Sequence, residues 1–126
     1  MKKKILVIED NEQNMYLVTF ILKKAGFEVI QAYNGNDGVS LAEQYIPDLI
    51  VLDIQLPKMD GYLVARILRK NKTLEKTPII AVTSYAMPGD CEHALAAGCS
   101  GYIEKPINPE TFVSQMEGFL HPISKA

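Results

Sequence analysis

The chain has 126 residues, of which 48% are hydrophobic and 22% are charged, and its formal net charge is −2. These values are typical of one soluble domain whose core folds without disulfides or metal ions. They argue against a protein that binds nucleic acid through charge alone, and no apolar run approaches the ~20 residues that span a bilayer. We therefore expect a cytoplasmic protein with no direct nucleic-acid binding and no membrane insertion.

Short apolar runs alternate five times with segments of helical periodicity. The runs are rich in β-branched residues, which is typical of buried strands in a parallel sheet. Gly26 and Gly98 follow helical segments in the usual C-terminal position, and Asn108-Pro109 is a typical helix start. In chain order we predict strand 4–9, helix 12–25, strand 27–32, helix 37–45, strand 48–53, helix 61–70, strand 78–83, helix 88–97, strand 100–104 and helix 109–120.

This alternation predicts an α/β fold. Five strand–helix units with right-handed crossovers form a doubly wound, five-stranded parallel sheet that has helices on both faces. Ligands of such sheets bind outside the carboxyl ends of the strands, near the point where the strand order reverses. We expect one domain over residues 1–126, with a core of about 4–120 and no output domain.

Polar side chains follow four of the predicted strands at their carboxyl ends. Glu9 and Asp10 follow the first strand, Asp53 the third, Thr83 the fourth and Lys105 the fifth. Because the carboxyl ends of parallel strands meet at one edge of a sheet, three carboxylates, a hydroxyl and an amine would share a small volume. A folding core does not need that arrangement, so the pattern indicates a chemical function.

The charges at this edge do not balance without a cation. Crowded carboxylates raise one another's pKa, and one lysine cannot pair with three acids. A divalent ion would neutralise the excess, and ligands that are all oxygen favour Mg²⁺ or Mn²⁺ over Zn²⁺. Because Mg²⁺ also binds phosphate oxygens, the site suits a phosphoryl group, with Asp53 as nucleophile, Lys105 as counter-charge and Thr83 as hydroxyl donor.

These motifs resemble those of the receiver domains of bacterial two-component response regulators, and the resemblance covers nearly the whole chain. Each motif alone is a weak signal, but all of them occur in the family's order and spacing. The motifs are Glu9-Asp10, the acceptor segment from Asp53 to Gly61, Thr83 with Ser84 and Ala86, and Tyr102 before Lys105-Pro106. The resemblance implies the flavodoxin-like strand order 2-1-3-4-5.

The resemblance also implies roles for individual residues. Asp53 would accept a phosphoryl group from the phosphohistidine of a histidine kinase or a histidine phosphotransfer protein. Mg²⁺ (or Mn²⁺) would be bound by Asp10, Asp53 and the main-chain carbonyl of Gln55, with Glu9 acting through water. Lys105 would contact the phosphoryl group, aimed by a cis Lys105–Pro106 peptide bond.

Two residues would carry the switch in such a domain. Thr83 would move toward the phosphoryl group and Tyr102 would rotate inward behind it, which would reshape the face made by the fourth helix, fifth strand and fifth helix. Downstream protein targets would bind this face. The alternative for Tyr102 is a packed core aromatic. Gln55 and Tyr85 would tune the access of the hydrolytic water.

The first helix supplies a further hypothesis. Exposed apolar groups beside a phosphorylation site indicate a docking surface, here for the phosphodonor, and Met15, Tyr16 and Phe20 are the candidates. The alternative is partial burial of these side chains against neighbouring loops. The residues expected to face the core instead are Leu17, Val18, Ile21, Leu22 and Ala25.

We therefore predict a signalling protein and not a classical enzyme, namely a stand-alone response regulator similar to single-domain cell-division regulators. Two alternatives remain: a receiver-like interaction module that acts without phosphorylation, and the excised receiver of a hybrid histidine kinase. A flavin-binding protein of this fold would need a phosphate loop where Glu9-Asp10-Asn11 stands. An aspartyl phosphatase would need a D-x-D motif on the first strand, which this sequence lacks.

Overall fold

Strands and helices alternate along the chain in the computed structural model, which describes residues 2–56, 59–84 and 88–120. The strands are β1 (Lys4–Ile8), β2 (Glu28–Ala32), β3 (Leu49–Asp53), β4 (Ile79–Thr83) and β5 (Gly101–Glu104). The helices are α1 (Glu12–Lys24), α2 (Gly35–Tyr45), α3 (Gly61–Lys70), α4 (Asp90–Ala96) and α5 (Pro109–Leu120), and a short 3₁₀ turn spans Lys72–Leu74.

The five strands form one parallel sheet in the order β2-β1-β3-β4-β5. This confirms the predicted doubly wound fold and places β2 and β5 at the edges. The chain moves from β1 to one side for β2 and returns to the other side for β3, so the strand order reverses between β1 and β3. The carboxyl ends of these two strands therefore flank the crevice where such folds bind ligands.

Two apolar cores cover the two faces of the sheet, because neighbouring side chains of a strand point to opposite faces. Leu52 and Ile79 belong to the core beneath α2, α3 and α4. Val51 and Ile80 belong to the core beneath α1 and α5, which Phe112 and Met116 complete. Burial on both faces explains why the inner strands β1, β3 and β4 are nearly continuous apolar runs, whereas the edge strand β2 carries the exposed residues Glu28 and Gln31.

The starts of two helices differ from the prediction. Helix α2 begins at Gly35, because the side chain of Asn34 accepts a hydrogen bond from the Asp37 N–H at 2.8 Å and caps the helix. Asn34 is thus the N-cap, and α2 begins two residues before the predicted start. Helix α4 begins at Asp90 and not at residue 88, because Gly89 has a left-handed φ of 89° that a helix cannot contain.

The predicted orientation of α1 is wrong in part. Met15, expected to be partly exposed, is 0% exposed, whereas Leu17, expected in the core, is 44% exposed. Met15, Val18 and Leu22 form the true contact stripe, and Leu17 lies ~200° around the helix from Met15 at ~100° per residue. Ala25, also expected in the core, is an exposed C-cap.

The structure also bears on membrane insertion. Within residues 2–56, 59–84 and 88–120, no helix is both long enough and apolar enough to cross a bilayer.

Candidate functional site

Three carboxylates meet at the carboxyl edge of the sheet. Glu9 and Asp10 follow β1 and Asp53 ends β3, and one carboxylate oxygen from each lies within 4.8 Å of the others. Glu9 and Asp53 are buried, whereas Asp10 is exposed to solvent. The register of β1 against β3, with Ile8 opposite Leu52, brings the acids together, because each acid follows or ends its strand at the same level.

Lys105 supplies the positive charge of this cluster. Its ammonium Nζ donates a hydrogen bond to Glu9 Oε1 at 2.9 Å and lies 3.6 Å from Asp53 Oδ2. The lysine follows the edge strand β5, so its side chain reaches over β4 to the centre of the sheet. The Lys105 N–H donates to the Thr83 carbonyl at 2.7 Å, and the Lys105–Pro106 peptide bond is cis.

Two contacts fix the position of Asp53: a hydrogen bond from Gln55, and the close packing of Gly61, at the start of α3, against the backbone. Its Oδ1 accepts a hydrogen bond from the Gln55 N–H at 2.9 Å. A Cβ atom on Gly61 would lie 2.5 Å from Ile54 Cα and 2.9 Å from the Asp53 carbonyl oxygen, so only glycine allows this approach of backbone to backbone. The Gly61 N–H donates to the Ile54 carbonyl at 3.1 Å and fixes the turn that leaves the strand.

The pKa of Glu9 reflects first its burial and then the neighbouring Asp53. Burial raises the pKa of Glu9 from 4.5 to about 7, and a hydrogen bond with Asp53 and the Asp53 charge act in the same direction. The Lys105 ammonium and the Asn11 N–H, which donates to Glu9 Oε2 at 3.2 Å, lower it. One lysine therefore does not compensate the acids, and the all-oxygen donor set fits a hard divalent cation such as Mg²⁺.

Thr83 and Tyr102 lie on the two strands beside the acids. Thr83 ends β4, is 3% exposed, and pairs in register with Glu104 of β5. The Tyr102 ring packs against the core beneath α2, α3 and α4, and its hydroxyl is buried. Burial raises the pKa of Tyr102. In this structure Tyr102 thus already faces inward, as expected of a packed core aromatic, whereas the switch interpretation expects the inward position once a phosphoryl group is present.

The side chain of Gln55 makes a contact that the sequence analysis did not foresee. Its Oε1 accepts a hydrogen bond from the Ser84 N–H at 2.9 Å, which joins the loop after β3 to the residue after β4. Asp53 pairs with Val82 in the sheet, so extending the register by two residues places Gln55 opposite Ser84. This register would have predicted the contact between Gln55 and Ser84. It can be read only once the pairing of β3 with β4 is known, which the sequence alone does not give. Tyr85, predicted to act with Gln55, lies outside the described residues.

A groove of about 380 Å³ opens beside the acids, between α1 and the segment after β5. Its lining includes Glu9, Leu17, Ser84 and Lys105. On the outer surface of α1, Tyr16 and Phe20 are 72% and 53% exposed, and their rings stack at 6.4 Å between centroids. The predicted docking residues Tyr16 and Phe20 are therefore exposed as expected, whereas Met15 is buried and contributes nothing to this surface.

Comparison with known proteins agrees with this geometry. The family model described as "Response regulator receiver domain" matches residues 5–117. The chain is 40% identical over 120 residues to the polar-differentiation response regulator DivK of Brucella anthropi, covering 95% of this chain and 98% of that protein. It is 39% identical, with the same coverage, to DivK of Brucella ovis.

Two solved structures are similar to this fold. The receiver domain of a sensor histidine kinase from Pseudomonas aeruginosa, described with a magnesium ion coordinated in its active-site cleft, has a TM-score of 0.88 at 32% identity over 95% of this chain and 98% of that one. The chemotaxis protein CheY4 of Vibrio cholerae has a TM-score of 0.89 at 28% identity, over 93% of this chain and 98% of that one. The family match, the strand order and the acid–lysine cluster agree, and the chain belongs to the response regulator receiver domain family.

Proposed function

We propose that this protein is a single-domain response regulator that accepts a phosphoryl group from a phosphohistidine on Asp53 in a Mg²⁺-dependent reaction. The observation that carries the proposal is the cluster of Glu9, Asp10 and Asp53 within 4.8 Å, with the Lys105 ammonium 3.6 Å from Asp53 Oδ2. The 40% identity to DivK, a polar-differentiation response regulator, over 98% of that protein supports a regulator of this kind.

The transfer step follows from the positions of the two Asp53 oxygens. Oδ1 is held by the Gln55 N–H, whereas Oδ2 faces Lys105 and serves as the nucleophile. Oδ2 forms a bond to phosphorus as the phosphorus–nitrogen bond of phosphohistidine breaks, and the imidazole nitrogen keeps the bonding electrons. The released ring nitrogen takes up one proton from solvent, so the products are an aspartyl phosphate and a free histidine.

The surrounding residues stabilise the charge of the transferring group. Asp10, Asp53 and the Gln55 carbonyl would hold Mg²⁺, with Glu9 acting through water, and the ion supplies neutralisation of the phosphoryl oxygens. The Lys105 ammonium is already directed toward Asp53 and adds a second positive charge on that side. Thr83 supplies a hydroxyl from the end of β4, as the resemblance to receivers implies.

Signalling is proposed to occur by altered protein–protein binding. Added phosphoryl charge biases Thr83 and Tyr102, and with them the face of α4, β5 and α5. Leu95 of α4 is 53% exposed and offers apolar area to a downstream protein. The alternative of a hybrid-kinase receiver is supported by the 32% identity to the receiver of a sensor histidine kinase.

The phosphodonor is a histidine kinase or a histidine phosphotransfer protein, and we propose that it docks on α1 through Tyr16 and Phe20. These stacked rings are exposed, and the adjoining Leu17 lines the groove beside the acids. Phe20→Glu is expected to slow transfer from the protein donor while leaving transfer from a small phosphodonor unchanged. Equal rates from the protein donor in the variant and the parent protein would contradict this docking surface.

The decisive test is incubation with acetyl phosphate and Mg²⁺, followed by intact-mass measurement. The parent protein is expected to gain the mass of one phosphoryl group, and Asp53→Asn is expected to gain none. The matched control is Asp48→Asn at the opposite end of β3, where the carboxylate accepts a hydrogen bond from the Lys4 N–H at 2.8 Å. This control should be phosphorylated like the parent. Unlabelled parent protein, or equal labelling of Asp53→Asn, would overturn the proposal.

A further inference from the structure

We propose that Gln55 is a positioning residue that holds the Ser84 main-chain N–H in the resting site and must release it when Asp53 carries a phosphoryl group. The inference rests on the proposed function, because it concerns the occupancy of that same site. It assigns to the Gln55 side chain a role separate from that of its carbonyl group, namely that of a latch whose strength sets how readily the site accepts a phosphoryl group.

The geometry of the latch is set by the sheet. The Ile54 N–H donates to the Val82 carbonyl at 3.0 Å, which continues the pairing of β3 with β4 beyond Asp53. One residue further, Gln55 lies opposite Ser84. The Gln55 N–H holds Asp53 Oδ1, and the Gln55 Oε1 holds the Ser84 N–H, both at 2.9 Å. A single residue thus joins the acceptor carboxylate to Ser84, the first residue after β4.

The Ser84 N–H lies where a phosphoryl oxygen would need a donor. Ser84 directly follows Thr83 and lines the same groove as Glu9 and Lys105. A phosphoryl oxygen is a charged acceptor, and charge-assisted hydrogen bonds are roughly twice as strong as neutral ones. The oxygen of a neutral side-chain amide would therefore be displaced from the Ser84 N–H by a phosphoryl oxygen, at the cost of the resting hydrogen bond.

Because of this exchange, the hydrogen bond between Gln55 and Ser84 opposes phosphoryl binding. The resting protein already satisfies the Ser84 N–H, so a phosphoryl group gains only the difference between two hydrogen bonds. Without the Gln55 acceptor, that N–H is solvated in the resting protein, and the opposing contact is lost. If the contact were merely structural, its removal would loosen Ser84 and weaken the binding of a phosphoryl group.

The test uses Gln55→Met, which keeps the length of the side chain and removes its acceptor. Beryllofluoride with Mg²⁺ serves as the phosphoryl probe. The variant is expected to bind it roughly threefold to tenfold more tightly than the parent, since a hydrogen bond contributes on the order of 1 kcal/mol and 1.4 kcal/mol is tenfold. Gln44→Met, an exposed substitution of the same type in α2, is expected to leave the affinity unchanged.

Hydrogen exchange of the Ser84 amide in the unliganded protein is the second readout. Exchange is expected to be faster in Gln55→Met than in the parent, and Gln55→Glu, which retains an acceptor oxygen, is expected to restore protection. Unchanged Ser84 exchange in Gln55→Met, or beryllofluoride binding no tighter than in the parent, would overturn the latch. A parent protein that binds no beryllofluoride would instead overturn the proposed function, and the latch with it.

Discussion

Glu9 shows how one buried carboxyl group couples the site to pH. Its pKa of about 7 is well above the ordinary value of 4.5, because the site is buried and Asp53 adds negative charge. In the absence of metal, the folded protein therefore binds more protons than the unfolded chain between these two values. A divalent ion held as proposed would compete with the proton for the same carboxylates, so its binding near neutral pH should release a proton.

This competition gives a prediction about stability. A raised pKa in the folded state contributes stability that is full below pH 4.5 and is lost as the pH rises through 7. We expect the metal-free protein to lose on the order of 1–3 kcal/mol of its unfolding free energy from this group between pH 5 and pH 8. Urea unfolding at both pH values measures the loss.

Glu9→Gln is the control for this prediction, because it keeps the size of the side chain and one acceptor oxygen and removes the titration. Its unfolding free energy should change less with pH than that of the parent protein over the same range. An identical pH dependence in the two proteins would show that Glu9 does not carry the shift.

At the residue scale, much of the site could be predicted from the sequence. Glu9, Asp10, Asp53 and Lys105 each follow an apolar run, and parallel strands bring such positions to one edge. The bond between the Gln55 side chain and Ser84 could not be predicted in this way, because two residues after a strand the chain direction depends on the neighbouring strand. The pairing of Asp53 with Val82 supplies that information.

At the scale of elements, Arg69 links α3 by hydrogen bonds to the segments before β4 and β5. Its guanidinium donates hydrogen bonds to the carbonyls of Gly98 at 2.7 Å, Leu74 at 2.8 Å and Thr77 at 2.6 Å, and to Ser100 Oγ at 3.1 Å. One side chain thus holds the end of α3, the following 3₁₀ turn and the turn before β5. The carbonyls it satisfies belong to segments with few ladder hydrogen bonds of their own.

Replacing this arginine should therefore destabilise the fold. Arg69→Lys retains the positive charge but offers one nitrogen in place of the planar fork, so several carbonyls lose their donor. We expect a loss of about 1–3 kcal/mol in the free energy of unfolding, measured by denaturant titration. Arg66→Lys is the matched control on the exposed side of the same helix and should stay within about 0.5 kcal/mol of the parent. Equal midpoints for the two variants would contradict the role of Arg69.

Helix α1 shows where element prediction from periodicity is limited. Its apolar residues occupy more than one side, so two stripes fit the helical spacing nearly equally well. The choice between Met15 and Leu17 depends on the angle at which the helix meets the sheet, which the pattern does not contain. By contrast, the bounds of α3 and α5 agree with the prediction, because glycine or proline marks where each begins.

For the whole molecule, the two cores share a single sheet and should unfold together. Ile79 and Ile80 are neighbours on β4, are both 0% exposed, and belong to opposite cores. Ile79→Val and Ile80→Val should each lower the unfolding free energy by about 0.5–1.5 kcal/mol. Both should shift one transition that circular dichroism and tyrosine fluorescence report alike. A variant in which the two signals separate would show that the faces unfold independently.

The overall architecture was the most predictable feature, and the reason is physical. Continuous apolar strands, capped helices and short connections leave few topologies once right-handed crossovers are required. The strand order itself was not contained in the periodicity. It came from the resemblance to receiver domains, and the pairing of β1 with both β2 and β3 confirms it.

The contact between Lys105 and Glu9 joins residues 96 positions apart in the chain. During synthesis, Glu9, Asp10 and Asp53 emerge from the ribosome before Lys105 has been added. A nascent chain with its first three strands therefore carries the acids of the site without the ammonium that partly balances them. The balance of charge at this edge is complete only when the fifth strand joins the sheet, so the site matures last although its first acids are made early.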